Sequence, residues 1–329
     1  MRTIKANAAT RVDLAGGTVD IWPVCHLLDE PAHTVNAAVN LRAHVVVSET
    51  EDGLVTIDPG FDDVVVYPVG ELKHDRLGLV TRLVQHFGAH EGLSIRLKTE
   101  APPKSGLGGS SALSVALGGA LSRLRGGLPS ATVFIRMLQN VETRLLGTST
   151  GYQDYVPAVG GGVHTIVAHP EDLELHSEEG AVEFLEDKLH LIDTAIPHHS
   201  GMNNWQAVRA FLDGDADVIA RFNGINAAAI AMRDAVRARD MDAVAAALDA
   251  EWRHRRKLSP VVSNEKIESI VAAVKRAGAT AAKVCGAGGG GCLVAVGGES
   301  EAVYAAAESA GGSRIEFRLD RRALEVEEA

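Results

Sequence analysis

The sequence predicts an α+β chain, long enough for two domains or one large one, and three observations carry that expectation. Valine-rich runs broken by short turns fill residues 35–70 and read as antiparallel strands. Ala, Leu and Met recur at three- and four-residue spacing over 204–258, which reads as helix with breaks near Asp213–Gly214 and Asp240. Two glycine-rich turns, PPKSGLGGSSAL at 102–113 and GAGGGG at 286–291, lie between short apolar runs. The first enters a helix and the second joins two strands.

Taken in order, residues 11–15 alternate like a strand until Gly16 and Gly17 break the run, and Asp20 follows at the turn. A charged residue beside a glycine pair can face a ligand, because no side chain blocks approach; a tight turn with a surface Asp is the plainer alternative. Residues 77–87 have helical spacing, 93–99 form the strand that feeds the first glycine-rich turn, and 112–121 and 131–146 read as helices. Gly118, Gly119 and Ala120 suggest that the first of these packs closely on a neighbour. In the turn itself, Gly106, Gly108 and Gly109 allow a sharp bend, and Ser110 and Ser111 are expected to cap the helix. Free N–H groups and the positive helix end make such a place suited to phosphate, although a turn that binds nothing has the same spacing. The charge pattern favours phosphate. None of the 43 Asp and Glu lies between Glu100 and Glu142, where an even spread would put about five, and that stretch holds Lys104, Arg123, Arg125 and Arg136.

Residues 147–162 are a loop by composition, with Gln153 and Asp154 between Gly151 and a glycine run. An Asp held there suits a general base or a metal ligand, and equally a turn. Residues 163–169 read as a strand, 170–179 as an acidic connection and soft domain boundary, and 189–196 as a strand ending at PHHSG. There His198, His199 and Ser200 are ligand contacts or an exposed polar group. The basic run WRHRRK, 252–257, sits near a helix end and reads first as a solvated face, second as a substrate-phosphate site. A helix follows over 265–277, then two apolar strands around the second glycine turn, again without an acid from 269 to 298, and a final strand over 313–326.

A net charge of −11 and 4% aromatic residues argue against a nucleic-acid surface. No apolar run is long enough to span a membrane, and the first residues lack a signal-peptide core. The three cysteines, Cys25, Cys285 and Cys292, are too few for a disulfide framework and have no metal-type spacing, so a reducing, cytoplasmic setting is expected.

RVDLAGGTVD, PPKSGLGGSSAL and KVCGAGGGGCL together resemble, in order, the three motifs of the GHMP kinases, small-molecule kinases that include galactokinase, homoserine kinase and mevalonate kinase. Within that family the chain is most similar to bacterial D-glycero-D-manno-heptose 7-phosphate kinases and L-fucokinase-type sugar kinases. The shared features are AGGTVD at 15–20, GLGGSS at 106–111, Gln153–Asp154 before Gly160–Gly161, and 283–291. The segment TAIPHHS, 194–200, resembles their TGxxRxS, with Ala195 in place of Gly and His198 in place of Arg; Gly109 replaces a Ser or Thr.

The resemblance implies a ribosomal S5 domain-2-like N-terminal domain over 1–175 and a ferredoxin-like C-terminal domain over 185–329, with a cleft between them. It implies ATP and Mg²⁺ as cofactors and a sugar or sugar phosphate as acceptor, of the heptose 7-phosphate type and giving a 1-phosphate. The alternatives are another small alcohol such as mevalonate, or a nucleotide-binding homologue without chemistry. By the same resemblance, Gly106, Leu107, Gly108, Gly109, Ser110 and Ser111 take the ATP phosphates, with the loop 286–291, Gly288 and Gly289 within it, closing the other side; Lys104 reaches a phosphate or is simply exposed. Ser110 and Glu142 hold Mg²⁺. Asp154 accepts or orients the hydroxyl proton beside Arg11, and Gly17, Thr18, Asp20 and His198 contact the acceptor. No nucleic-acid or membrane partner is expected, and the chain is a monomer or homodimer.

Overall fold

The longest strand organises the first half of the chain. In this computed structural model, which describes residues 1–329 apart from 61, 89–91 and 198–199, β1 (Thr3–Ala15) pairs antiparallel with β2 (Ala32–Thr50). The 19 residues of β2 serve two further partners. Its first part pairs with β6 (Val163–Ala168) and its second with β5 (Gly92–Thr99). β3 (Leu54–Asp58) pairs with β4 (Val65–Pro68) as expected, but lies parallel to β5. β7 (Leu173–Ser177) forms a hairpin with β6 in the segment expected to be only an acidic connection.

Helix α2 (Gly109–Leu124) packs on this sheet, and α1 (Gly78–His86) and α3 (Ala131–Leu146) pack with α2 and with each other. A Cβ at Gly118 would lie 2.8 Å from the Leu138 side chain, and one at Gly119 would lie 3.1 Å from Leu324, so both glycines admit neighbours that alanine would push away. α2 starts at Gly109 with Gly108, φ +74°, as its N-cap, and no side chain caps it. The expected serine caps are occupied elsewhere: Ser110 bonds to Glu142 and Ser111 to Tyr155. The loop after α3 contains a short helix, α4 (Tyr155–Gly160), that its glycine content concealed.

The chain then leaves the first sheet. After α5 (Ala181–Leu185), β8 (Leu189–Asp193) begins a second, antiparallel sheet with β9 (Ala281–Val284), β10 (Cys292–Val296) and β11 (Ser313–Arg314), in the order β11-β8-β10-β9. Between β8 and β9 lie α6 (Ser200–Leu212), α7 (Ala216–Ala238), α8 (Met241–Arg255) and α9 (Glu265–Arg276), and α10 (Ser300–Ser309) follows β10. Asp215, Asp240 and Asn264 cap α7, α8 and α9 by accepting first-turn N–H groups, which is why the helical stretch breaks where its Asp and Gly signals fall. The final segment is not one strand. After β11 the chain crosses back, and β12 (Glu325–Glu328) joins the edge of β1, so the last residues complete the first sheet. Helix α8 touches both β1 and β9, and its C-terminal end therefore sits between the two sheets. Among the described residues no helix is long and apolar enough to cross a membrane.

Candidate active site

A cavity of about 580 Å³ opens where the turn after β1, the glycine turn before α2, the loop before α4 and residues 286–287 converge. It is lined by Arg11, Thr18, Asp20, Lys104, Gly106, Gly108, Gly109, Ser110, Ser111, Glu142 and Asp154, so residues far apart in sequence share one wall.

Asp154 sits at the start of α4. Its Oδ1 accepts from Arg11 Nε at 2.9 Å and Nη2 at 2.5 Å, while Arg11 Nη1 donates to the Gly106 carbonyl at 2.6 Å. One guanidinium thereby fixes both the carboxylate and the glycine turn. Burial disfavours the Arg11 charge, but Asp154 and Asp13 outweigh it and hold the guanidinium above its ordinary value. Gly108 is required here on two counts. Its φ of +74° is left-handed, and a Cβ would stand 3.3 Å from the Asp154 carboxyl carbon.

Asp20 enters from the turn after β1. Its Oδ2 accepts from the N–H groups of Tyr152 (2.5 Å) and Gln153 (2.8 Å), while its buried Oδ1 has no hydrogen-bond partner. Burial, with a smaller contribution from the Asp154 charge, pushes its carboxyl up to about 6 against the backbone bonds that oppose it. Gly151 makes room, since a Cβ there would lie 2.2 Å from Asp20 Oδ2.

Glu142 projects from α3. Its Oε2 accepts from the Tyr155 hydroxyl at 2.5 Å, and Ser110 bonds to it as well. Burial, reinforced by Asp154 and only partly offset by those bonds, pushes it to about 7. Ser110 and Glu142 are adjacent oxygen donors, and a cation bound beside them would offset the burial that raises the carboxylate. That set fits Mg²⁺, which binds through one or two protein oxygens and completes its shell with water and phosphate oxygens. Among the described residues no group of three or more His, Cys, Asp or Glu is placed to hold a metal ion.

Other expected site residues lie elsewhere. Leu107 is fully buried in the core, where its carbonyl accepts from the Arg11 N–H. Gly17 faces inward, its carbonyl taken by Arg255. Gly288 and Gly289 pack on Val262 and do not line the cavity; Gly286 and Ala287 take that place. His198 lies outside the described residues. The basic run 252–257 is neither a uniformly solvated face nor a wall of the cavity. Arg253 pairs with Asp249 and Arg256 with Glu268, and Arg255 is 1% exposed. Sequence reasoning missed Tyr155 and Asn204, and it singled out Arg255 only within the basic run, whose two readings, a solvated face or a substrate-phosphate site, did not include a buried residue beneath the cavity; the acid four residues before it, Glu251, was the signal for pairing.

Two family models match the chain, that of the GHMP kinases N terminal domain over residues 76–162 and that of the GHMP kinases C terminal over residues 232–313. The chain belongs to the GHMP kinases. It is 28% identical over 311 residues to D-glycero-alpha-D-manno-heptose 7-phosphate kinase of Campylobacter jejuni, a match spanning 89% of each. It is 24% identical over 331 residues to mevalonate kinase of Thermococcus sibiricus, spanning 89% of this chain and 92% of that one. The solved structure of D-glycero-D-manno-heptose 1-phosphate kinase from Bacteroides thetaiotaomicron has the same fold, with a TM-score of 0.76, 23% identity and 98% of both chains covered. This GHMP kinase is thus an ATP-dependent phosphotransferase with an alcohol acceptor, and its α+β fold is the one its motifs implied.

Proposed function

We propose that this GHMP kinase transfers the γ-phosphoryl group of ATP to a hydroxyl of a sugar or sugar phosphate. One observation carries the reading: two carboxylates face the same cavity beside the glycine turn, each with an oxygen left over. Asp20 has a buried, unpartnered Oδ1, and Asp154 has only its Oδ1 held by Arg11. Asp20 Oδ1 accepts one acceptor hydroxyl, which removes its unsatisfied state. Asp154 Oδ2 takes or orients the proton of the hydroxyl that attacks, and Arg11, bonded to Oδ1, keeps the carboxylate aimed. The first turn of α2, with N–H groups that no helical carbonyl satisfies, receives the phosphates, and Lys104 on the same wall adds a positive charge. Ser110 and Glu142 would hold Mg²⁺, which neutralises charge on the transferring group. Pro59, Gly60, Lys98, Thr99, Leu113 and Leu146 also line the cavity and offer surface for the adenosine end.

Around Asp20 the cavity is lined by Thr18, Gln153 and Asn204, neutral groups that suit several hydroxyls. On this reading residues 1–175 form the nucleotide-binding domain and 185–329 the C-terminal domain, which lends β12 to the first sheet. The three cysteines, free and buried, accord with a cytoplasmic setting.

The test is ADP release with Mg²⁺ATP against heptose 7-phosphate, fucose, galactose, mannose and mevalonate. Turnover of a sugar or sugar phosphate is expected. Turnover of mevalonate alone, or ADP release that no acceptor stimulates, would overturn the proposal.

A further inference from the structure

Behind the cavity, four charged side chains are buried at 0–1% exposure: Asp13 on β1, Glu251 and Arg255 on α8, and Lys283 on β9. Lys283 Nζ lies 3.1 Å from Asp13 Oδ2 and 3.0 Å from Glu251 Oε1. Arg255 Nη2 lies 3.5 Å from Asp13 Oδ2, and Arg255 Nε donates to Glu251 Oε1 at 2.6 Å. Two acids and two cations cancel, yet taking four charges out of water is costly, and an apolar set of similar volume often holds a core as well or better. Stability alone therefore does not account for the cluster.

What an apolar set cannot supply is the remaining N–H groups of the guanidinium. Arg255 Nη1 donates to Thr18 Oγ1 at 2.9 Å and to the Gly286 carbonyl at 3.1 Å, and Nη2 donates to the Gly17 carbonyl. A single side chain from α8 thus grips the turn after β1 and the glycine turn after β9. Thr18 needs such a hold, because its φ of +81° is unfavourable for a β-branched residue. Its hydroxyl accepts from Arg255 and directs its own proton to Asn204 Oδ1, at 3.5 Å. That leaves the Asn204 amide nitrogen as the group available to an oxygen in the cavity, which Asn204 lines.

We infer that Arg255 is a positioning residue for the acceptor: it locks the Gly17–Thr18 turn against Gly286 and, through Thr18, sets the face that Asn204 presents. The inference rests on the acceptor site proposed above. Lysine cannot replace it, since an ammonium on a flexible stem cannot span three acceptors in one plane.

Two variants test it. Arg255→Lys keeps a charge beside Glu251. The double variant Glu251→Met, Arg255→Met removes the pair and leaves Asp13 with Lys283, so that no buried charge is orphaned. In both, the acceptor KM is expected to rise about tenfold or more, while the KM for ATP and the affinity for a non-hydrolysable ATP analogue stay within about twofold. A double variant with the parent Tm and the parent acceptor KM overturns the inference. So does a lowered Tm with equal losses in nucleotide and acceptor affinity, which marks a merely structural role. If the parent protein phosphorylates no sugar, the acceptor reading fails by itself, and hydrogen–deuterium exchange then judges the clamp. Faster exchange over 16–20 and 284–291 together in the double variant upholds it, and unchanged exchange there overturns it.

Discussion

Replacing Asp154 by Asn separates charge from geometry at the centre of the site. Asparagine keeps an Oδ1 for the Arg11 Nε and Nη2 donors and nearly the same volume, so the glycine turn and α4 stay in place. It loses the negative charge and the capacity to take a proton. Loss of a positioned general base lowers kcat by about 10²–10⁴. The stability change follows from exposure. The Arg11 side chain is 3% exposed and that of Asp154 is 27% exposed, so only one partner is fully dry. Breaking a fully buried pair costs about 3–5 kcal/mol and an exposed one about 0–1 kcal/mol. With water reaching Asp154 and Asp13 still close to Arg11, about 1–2 kcal/mol is expected here, or a Tm lowered by about 2–6 °C. ADP release with the preferred acceptor, calorimetry, and binding of a non-hydrolysable ATP analogue measure the three effects. Phosphorylation within about threefold of the parent rate, with the variant folded, would refute the role given to Asp154.

Asp20→Asn is expected to raise the acceptor KM, and the parent acceptor KM should rise as pH falls through about 6, where Asp20 gains a proton; a variant with the same pH profile as the parent would refute this. The stability sign also follows. The folded carboxyl titrates at about 6, above its ordinary 3.8, so the folded state holds the extra proton between those values. Parent stability therefore falls as pH rises from about 4 to about 6, by up to about 3 kcal/mol, and calorimetry across that window should show no such loss from this position in the Asn variant. Glu142→Gln should raise the Mg²⁺ concentration for half-maximal ADP release about tenfold, and an unchanged Mg²⁺ titration would place the ion elsewhere.

Much of the fold is legible because its signals are local. The α3 limits follow from apolar spacing, and the breaks around α7 and α8 follow from Asp215 and Asp240, whose side chains bond within three residues of themselves. α4 was hidden because glycines flank it and six residues carry no periodicity to read. β7 was hidden because an edge strand with one exposed face admits acidic residues and looks like a connection. The parallel placement of β3 against β5 has no local signal at all, since the α1 segment that separates them sets the direction of return.

The candidate site divides the same way. The sequence by itself determined the glycine turns, the acid-free stretches around them and the motif order that marks the family, because backbone freedom and local charge depend on neighbouring residues. Only the tertiary structure decided what each charge does. Arg11 meets Asp154 across 143 residues of chain, Asp20 reaches the amides of Tyr152 and Gln153, and Arg255 leaves a run that looks solvated to lie beneath the cavity. The physical reason is that a charge takes its character from its solvation and its partners, and both are set when distant strands and helices close over it.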